Sequence, residues 1–218
     1  MQFLILKFKG LLQAWGRDTY EDHRPIHHFP TRSGLVGLLA CCLGIDREEQ
    51  LTQKQLSESF RYAVSLDTAE VSRKIVDFQT VENTRKASGG LREYQVILRK
   101  EYLCQAEFTL ALEFFPQTNY SLETVKQAVE CPVGTPRLGR LSCVPSRPIF
   151  EQVIEATDLL SALEMVLGSQ SLIYSEEETE NSLLLRLRDV PVFNGSRQFT
   201  TRNIYIVNKN KDLINVLK

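Results

Sequence analysis

Residues 10–44 read GLLQAWGRDTYEDHRPIHHFPTRSGLVGLLACCLG, and the fold turns on how this run is parsed. Its last part, Leu35-Val36-Gly37-Leu38-Leu39-Ala40-Cys41-Cys42-Leu43, is apolar all round yet too short to span a bilayer, so it reads as a buried helix. Thr31 or Ser33 supplies the N-cap, and Gly44 ends the helix. Ahead of the run, Gln2 to Lys9 alternates Phe3, Ile5 and the Lys7 stem against Leu4, Leu6 and Phe8, the pattern of a strand buried largely on both faces. Gly10 and Gly16 bracket a turn carrying the only tryptophan, Trp15.

A helix start offers unpaired backbone N–H groups and the positive end of a dipole, and Arg32 adds a fork of donors that matches a phosphate. Thr31, Arg32 and Ser33 therefore read as a site for an anionic backbone. The alternative is an ordinary capped core helix with a solvated Arg32.

Moving outward, Thr52 to Phe60 fits a short helix and Tyr62 to Asp67 a strand. Two β-prone runs, Val71 to Val81 and Tyr94 to Tyr102, flank a polar tip from Asn83 to Gly90, which predicts a long projecting hairpin over about 71–103. Cys104 to Phe115 alternates cleanly, with Ala106, Phe108, Leu110, Leu112 and Phe114 on one face and Gln105, Glu107, Thr109 and Glu113 on the other. Ser121 caps a helix that places Leu122, Val125, Ala128 and Val129 on one side and ends at Cys131-Pro132. Ile149 to Ile154 returns as a strand. Apart from the hairpin, the order strand-helix-strand-strand-helix-strand is the α+β, ferredoxin-like (RRM-like) βαββαβ arrangement, which serves many RNA-recognition modules. The expected organisation is a ferredoxin-like domain over 1–150 and a small, mostly β, α+β region over 151–218. That second region carries a helix from Asp158 to Leu167 and strands around Ser171–Ser175, Leu183–Arg188 and Asn203–Val207.

The 218 residues include 43% hydrophobic side chains, ample for a core, and the net charge of −1 rules out a global basic field. Charge is unevenly distributed: residues 151–189 hold nine acidic and two basic side chains, and Glu176-Glu177-Glu178 with Glu180 reads as a solvated turn. Two runs are basic, one from Arg85 to Lys100 and one from Cys131 to Phe150. Either run has a plain solvated face as its alternative. In the second, Gly139 allows close backbone approach while Arg137 and Arg140 grip phosphates or stack on bases. A Pro/Gly connector is the alternative there.

Five cysteines, an odd number without a CxxC, read as small core residues in a reducing compartment, and no signal-like segment opens the chain, so a cytoplasmic location is expected. The three histidines, His23, His27 and His28, sit in one loop, where Pro25 argues against a helix that would align two of them on a metal. Neither a metal site nor a cofactor is expected. The histidines read as loop residues facing RNA.

QAWG at 13–16, FPTRSGLVGLLACCLGI at 29–45, EYLCQAEFTLAL at 101–112, RLGRLSC at 137–143, YSEE at 174–177 and RQFTTRNIYIV at 197–207 together resemble the CasD family. The resemblance implies a subunit of type I-E CRISPR Cascade that caps the 5′ handle of the CRISPR RNA. It implies a ferredoxin-like domain with a projecting thumb that meets the backbone subunit, a neighbouring large subunit that reads the PAM, and target DNA reached only through the complex. No membrane contact is implied. With the readings above, the candidate RNA-contacting set is Gln13, Trp15, Gly16, Arg24, Thr31, Arg32, Ser33, Arg85, Lys86, Arg92, Arg99, Arg137, Leu138, Gly139, Arg140, Ser142 and Arg197. No catalytic residue is expected. In related type I-C systems a homologous subunit cuts precursor RNA with tyrosine, lysine and histidine. Here Lys100 is followed by Glu101, with no histidine there to pair with the lysine, which argues against cleavage. A metal-independent endoribonuclease stays as the alternative, and a protein-interaction module without an RNA role as a third reading.

Overall fold

The computed structural model describes residues 1–17, 22–67, 73–86, 88–167, 172–179, 182–194 and 198–208. Of the expected features, residues 71–72 of the hairpin, 87 at its tip, 171, 180 and the candidate Arg197 lie outside the described residues.

The chain begins with β1 (Gln2–Lys9), followed by the two-residue strands β2 (Leu12–Gln13), β3 (Trp15–Gly16), β4 (His23–Arg24) and β5 (Ile26–His27). Then come α1 (Arg32–Leu43), α2 (Gln50–Glu58), β6 (Phe60–Leu66), β7 (Arg73–Val81), β8 (Val96–Cys104) and β9 (Glu107–Phe114). The remainder is α3 (Leu122–Glu130), β10 (Phe150–Glu155), α4 (Leu159–Leu167), β11 (Leu172–Ser175), β12 (Leu183–Val192) and β13 (Gln198–Asn208). A seven-stranded sheet runs β10-β1-β9-β6-β11-β13-β12. Each pairing described within it is antiparallel. Its first four positions take β1, β6, β9 and β10 in the order fourth, first, third and second; α1 and α2 both lie between β1 and β6, and α3 lies between β9 and β10. The boundary expected at 150 falls on the first residue of β10, and β11, β13 and β12 continue the same sheet from β6.

β1 is central because both of its faces are covered. Leu4, Leu6 and Phe8 pack with Leu35, Leu39 and Cys42 of α1 and Val125 and Val129 of α3. Phe3 and Ile5 pack with Leu159, Ala162 and Leu163 of α4. Burying each such large side chain contributes roughly 1.5–3 kcal/mol, so two-sided burial fixes the strand's register firmly. β9 shares this layer. Its Thr109–Ala111 side is closed by α4, and buried Thr109 donates its hydroxyl to Asp67 at 2.6 Å.

Local chemistry sets the helix ends. Thr31 accepts the Gly34 N–H and Ser121 the Thr124 N–H, while Gly44 closes α1 at φ 73°, where a glycine is needed. The carbonyls of Cys41 and Cys42 at the end of α1 accept the N–H groups of Gly134 and Val133, so the loop after α3 is fastened to α1. β7 and β8 pair over nine residues each and form a hairpin arm. Val76, Phe78, Leu91 and Tyr94 are exposed on this arm.

Candidate nucleic-acid interface

The start of α1 is not an open anion site, and the expectation for it is corrected by three contacts. The Arg32 backbone N–H donates to the Asp189 carboxylate at 2.7 Å, so a carboxylate of the chain itself meets the helix dipole. The Arg32 guanidinium pairs with Glu176 at 2.6 Å, donates to the carbonyls of Ser57 and Phe60, and lies over the Phe60 ring. Thr31 is fully buried under its capping bond. Buried charges need partners, and Arg32 found one in the acidic segment. The solvated-turn reading is corrected at Glu176, which accepts from Arg32, Arg202 and the Tyr62 N–H, whereas Glu178 is exposed.

Gln13 and Trp15 are also spent inside the fold. Gln13 donates to Ala106 O at 2.7 Å and accepts the Trp15 indole N–H at 3.1 Å, and the Trp15 ring stacks on Phe8. Both side chains are fully buried, which removes them from the residues available to RNA. A Cβ at Gly34 would lie 2.8 Å from that ring, so the small residue lets α1 settle on the tryptophan. Gly16 is exposed, and a Cβ there would meet nothing within 4 Å.

The Arg137–Ser142 run divides. Leu138 is fully buried, and its carbonyl accepts the Ala14 N–H. Gly139 sits at φ 104°, where a Cβ would come within 1.9 Å of Ala14 O, so only glycine fits. Arg140 donates to Glu101 O at 2.6 Å and Arg24 O at 3.0 Å and lies over the Tyr102 ring, so it clasps the base of the arm instead of presenting a fork to a ligand. Neither Leu138 nor Arg140 is therefore placed to touch RNA directly. Ser142 is exposed beside a second hollow with Leu12 and Tyr102. Arg137 is different: it is half-buried, and its Nε is buried without a hydrogen-bond partner among the described residues.

Arg137 lines a groove of about 990 Å³. One wall is the outward stripe of α1, with Ser33, Gly37 and Cys41; the next is the loop holding Gly134, Thr135, Arg137 and Gly139; the third is the end of β12 with Pro191, Phe193 just beyond it, and the start of β13 with Phe199. Arg47 joins Arg137 as a second cation, and Asp46 and Glu48 stand at the α1–α2 turn. The fold thus brings together Ser33, Arg137 and Gly139 from two separate predicted stretches. Gly37, Phe193 and Phe199 were not anticipated. The readable signal was Ser33-x-x-x-Gly37-x-x-x-Cys41, a stripe of small residues at helical spacing on an otherwise apolar helix.

The arm carries the other basic candidates. Arg85, Lys86, Arg92 and Arg99 are exposed. Arg99 pairs with Asp22 at 3.0 Å and lies over Phe78, and Arg92 lies over Tyr94. Arg24 is half-buried where β4 joins β8. Below them, His23 Nε2 lies 3.3 Å from Glu101, which also meets Lys74 and the Ile26 N–H, while Lys100 donates to Gln79 at 2.6 Å. Burial, foremost, lowers the His28 pKa, and its Nδ1 is buried without a hydrogen-bond partner among the described residues. Among the described residues, no group of His, Cys, Asp and Glu has the makings of a metal site.

Residues 3–205 match the family model described as CRISPR-associated protein (Cas_Cas5). The chain is similar to the CRISPR system Cascade subunit CasD of Escherichia coli (strain K12), with 39% identity over 97% of this chain and 98% of that protein. A solved structure described as a CRISPR RNA-guided surveillance complex shares the fold with a TM-score of 0.76 at 24% identity, over 94% of this chain and 89% of that one. A second, described as the crystal structure of a Cas protein, gives a TM-score of 0.68 at 28% identity over 96% of each chain. This chain is mixed α/β, mostly sheet with few helices, and similar in fold to both structures.

Proposed function

We propose, proceeding from the fact that the chain belongs to the Cas5 family of CRISPR-associated proteins, that it is a Cascade subunit holding the 5′ handle of CRISPR RNA in the groove beside α1. The carrying observation is the convergence of Ser33, Gly37, Arg137 and Gly139 on that groove, with a buried guanidinium Nε of Arg137 that lacks a partner among the described residues. Small residues along α1 let a backbone approach closely, Arg137 and Arg47 meet phosphates, and Phe193 and Phe199 offer faces on which bases stack. We read the β10-β1-β9-β6 part of the sheet as a ferredoxin-like core within 1–150, the β7–β8 arm as the thumb, and 151–218 as the smaller region that completes the groove.

On this reading the exposed arm, with Arg85, Lys86 and Arg92 near its tip and Val76 and Phe78 along its shaft, meets the Cascade backbone subunit. The large PAM-reading subunit is a second neighbour, and target DNA is met only in the complex. The role is non-catalytic: His23 and Lys100 are engaged with Glu101 and Gln79. Metal-independent cleavage of precursor RNA is the second reading, favoured only by His23 standing beside a carboxylate. Among the described residues no helix is long and apolar enough to cross a membrane, and we place the complex in the cytoplasm.

Arg137→Ala tests the groove. Binding of handle RNA should weaken, and the slope of log K against log salt should fall by roughly 0.7 for each phosphate that is no longer neutralised. Unchanged affinity and slope would remove RNA from the groove.

A further inference from the structure

The groove's outer wall is the end of an edge strand. Among the described residues β12 has β13 as its one neighbour in the sheet; Pro191 follows Asp189 on it, and Phe193 comes directly after its last residue. Phe199 precedes Arg202 on β13, and Ser33 follows Arg32 on α1. The three residues next to the walls, Asp189, Arg202 and Arg32, meet in one buried cluster with Glu176. Asp189 Oδ1 accepts from Arg202 Nε at 2.6 Å, and its Oδ2 accepts from Arg202 at 2.7 Å and from the Arg32 backbone N–H at 2.7 Å. Glu176 Oε1 accepts from both guanidinium groups, and its Oε2 accepts the Tyr62 N–H at 3.0 Å. Arg202 also donates to the Tyr62 hydroxyl, which donates to Pro30 O at the entry to α1. The Asp189 side chain is 1% exposed and those of Arg202 and Glu176 are 11% and 12%.

Every carboxylate oxygen in the cluster is engaged, so it has one low-energy arrangement. None of Asp189, Arg202 and Glu176 lines the groove itself. We propose that these three are positioning residues for RNA: their cluster ties the β12–β13 wall to the α1 wall and sets the groove's width from behind. The inference rests on the groove being the RNA site. It gives the acidic segment a role at the RNA site without putting carboxylates against phosphate, because Glu176 and Asp189 act through the two arginines.

The test uses the full-length chain and a fluorescent single-stranded RNA carrying the repeat's 5′ handle. Asp189→Asn should lower affinity about tenfold and leave the salt slope at the wild-type value, because every phosphate keeps its cation. Spin labels on Gly37→Cys and Gln198→Cys, with Cys41, Cys104 and Cys131 replaced by Ser, should report a longer and broader distance across the groove in Asp189→Asn. Glu176→Gln is read in the same way and carries the test if Asp189→Asn does not fold. Wild-type affinity, an unchanged distance, or a reduced salt slope in the folded variants overturns the positioning role. Loss of affinity in Arg137→Ala with no change in the cluster variants would sink this inference alone, whereas no effect of Arg137→Ala would sink the groove reading beneath it.

Discussion

Asp189 on β12 caps α1 from 157 residues away, taking the Arg32 backbone N–H at 2.7 Å while the same carboxylate holds Arg202. A bond of this kind makes the last strands part of the first helix's start, so the two ends of the chain stabilise each other.

Arg202→Ala should therefore be among the most damaging single changes. It leaves Asp189 and Glu176 buried short of a partner, and breaking one side of a buried pair costs about 3–5 kcal/mol. Urea unfolding would read this as a lower midpoint. A loss under about 1 kcal/mol would mean that the cluster is far less coupled than its geometry indicates.

Through Asp67, stability should fall as the pH rises from about 4 to about 6. Burial, opposed by bonds to Thr109 and by Lys7, raises its carboxyl from 3.8 to about 6. In that window the folded state binds more protons than the unfolded one, so raising the pH removes stability, by about 3 kcal/mol at most. Asp67→Asn should flatten this part of the curve, as thermal melts across pH would show. A wild-type slope of opposite sign would contradict the assignment.

Gly139→Ala and Gly16→Ala form a matched pair. The first forces a Cβ to within 1.9 Å of Ala14 O at φ 104° and should cost more than about 2 kcal/mol. The second meets nothing within 4 Å and should change stability by less than about 1 kcal/mol. Equal melting temperatures for the two would contradict the packing of this loop on residue 14.

Arg140→Ala should free the base of the arm. It removes two charge-assisted bonds to Glu101 O and Arg24 O, each worth about 1.5–3 kcal/mol. Faster amide hydrogen exchange is expected in β4 and at the foot of β8, with the salt slope for handle RNA unaltered. A reduced slope would return Arg140 to the residues that grip phosphate.

The helix caps Thr31, Gly44 and Ser121 were legible in sequence because each acts on neighbours within one turn. The alternation in Gln2–Lys9 was legible for the same reason. That in Cys104–Phe115 marked a strand, but Cys104 closes β8, Gln105 turns at φ 52°, β9 runs Glu107–Phe114, and Thr109 on the face read as polar is buried. Arg32 and Arg140 were misread because a sequence displays charge but not its partner. Glu176 lies 144 residues from Arg32, and the acceptors of Arg140 are backbone carbonyls that any residue supplies. Arg137 shares composition and loop with Arg140, and only the fold separates the arginine that clasps the arm from the one that faces the groove.

The most direct test of RNA in the α1 groove is crosslinking in the assembled complex, with photoreactive thiouridine placed through the 5′ handle. The account predicts adducts on peptides from residues 33–47, 133–139 and 191–199, reduced by Arg137→Ala. Adducts confined to the β7–β8 arm or to other subunits would contradict it.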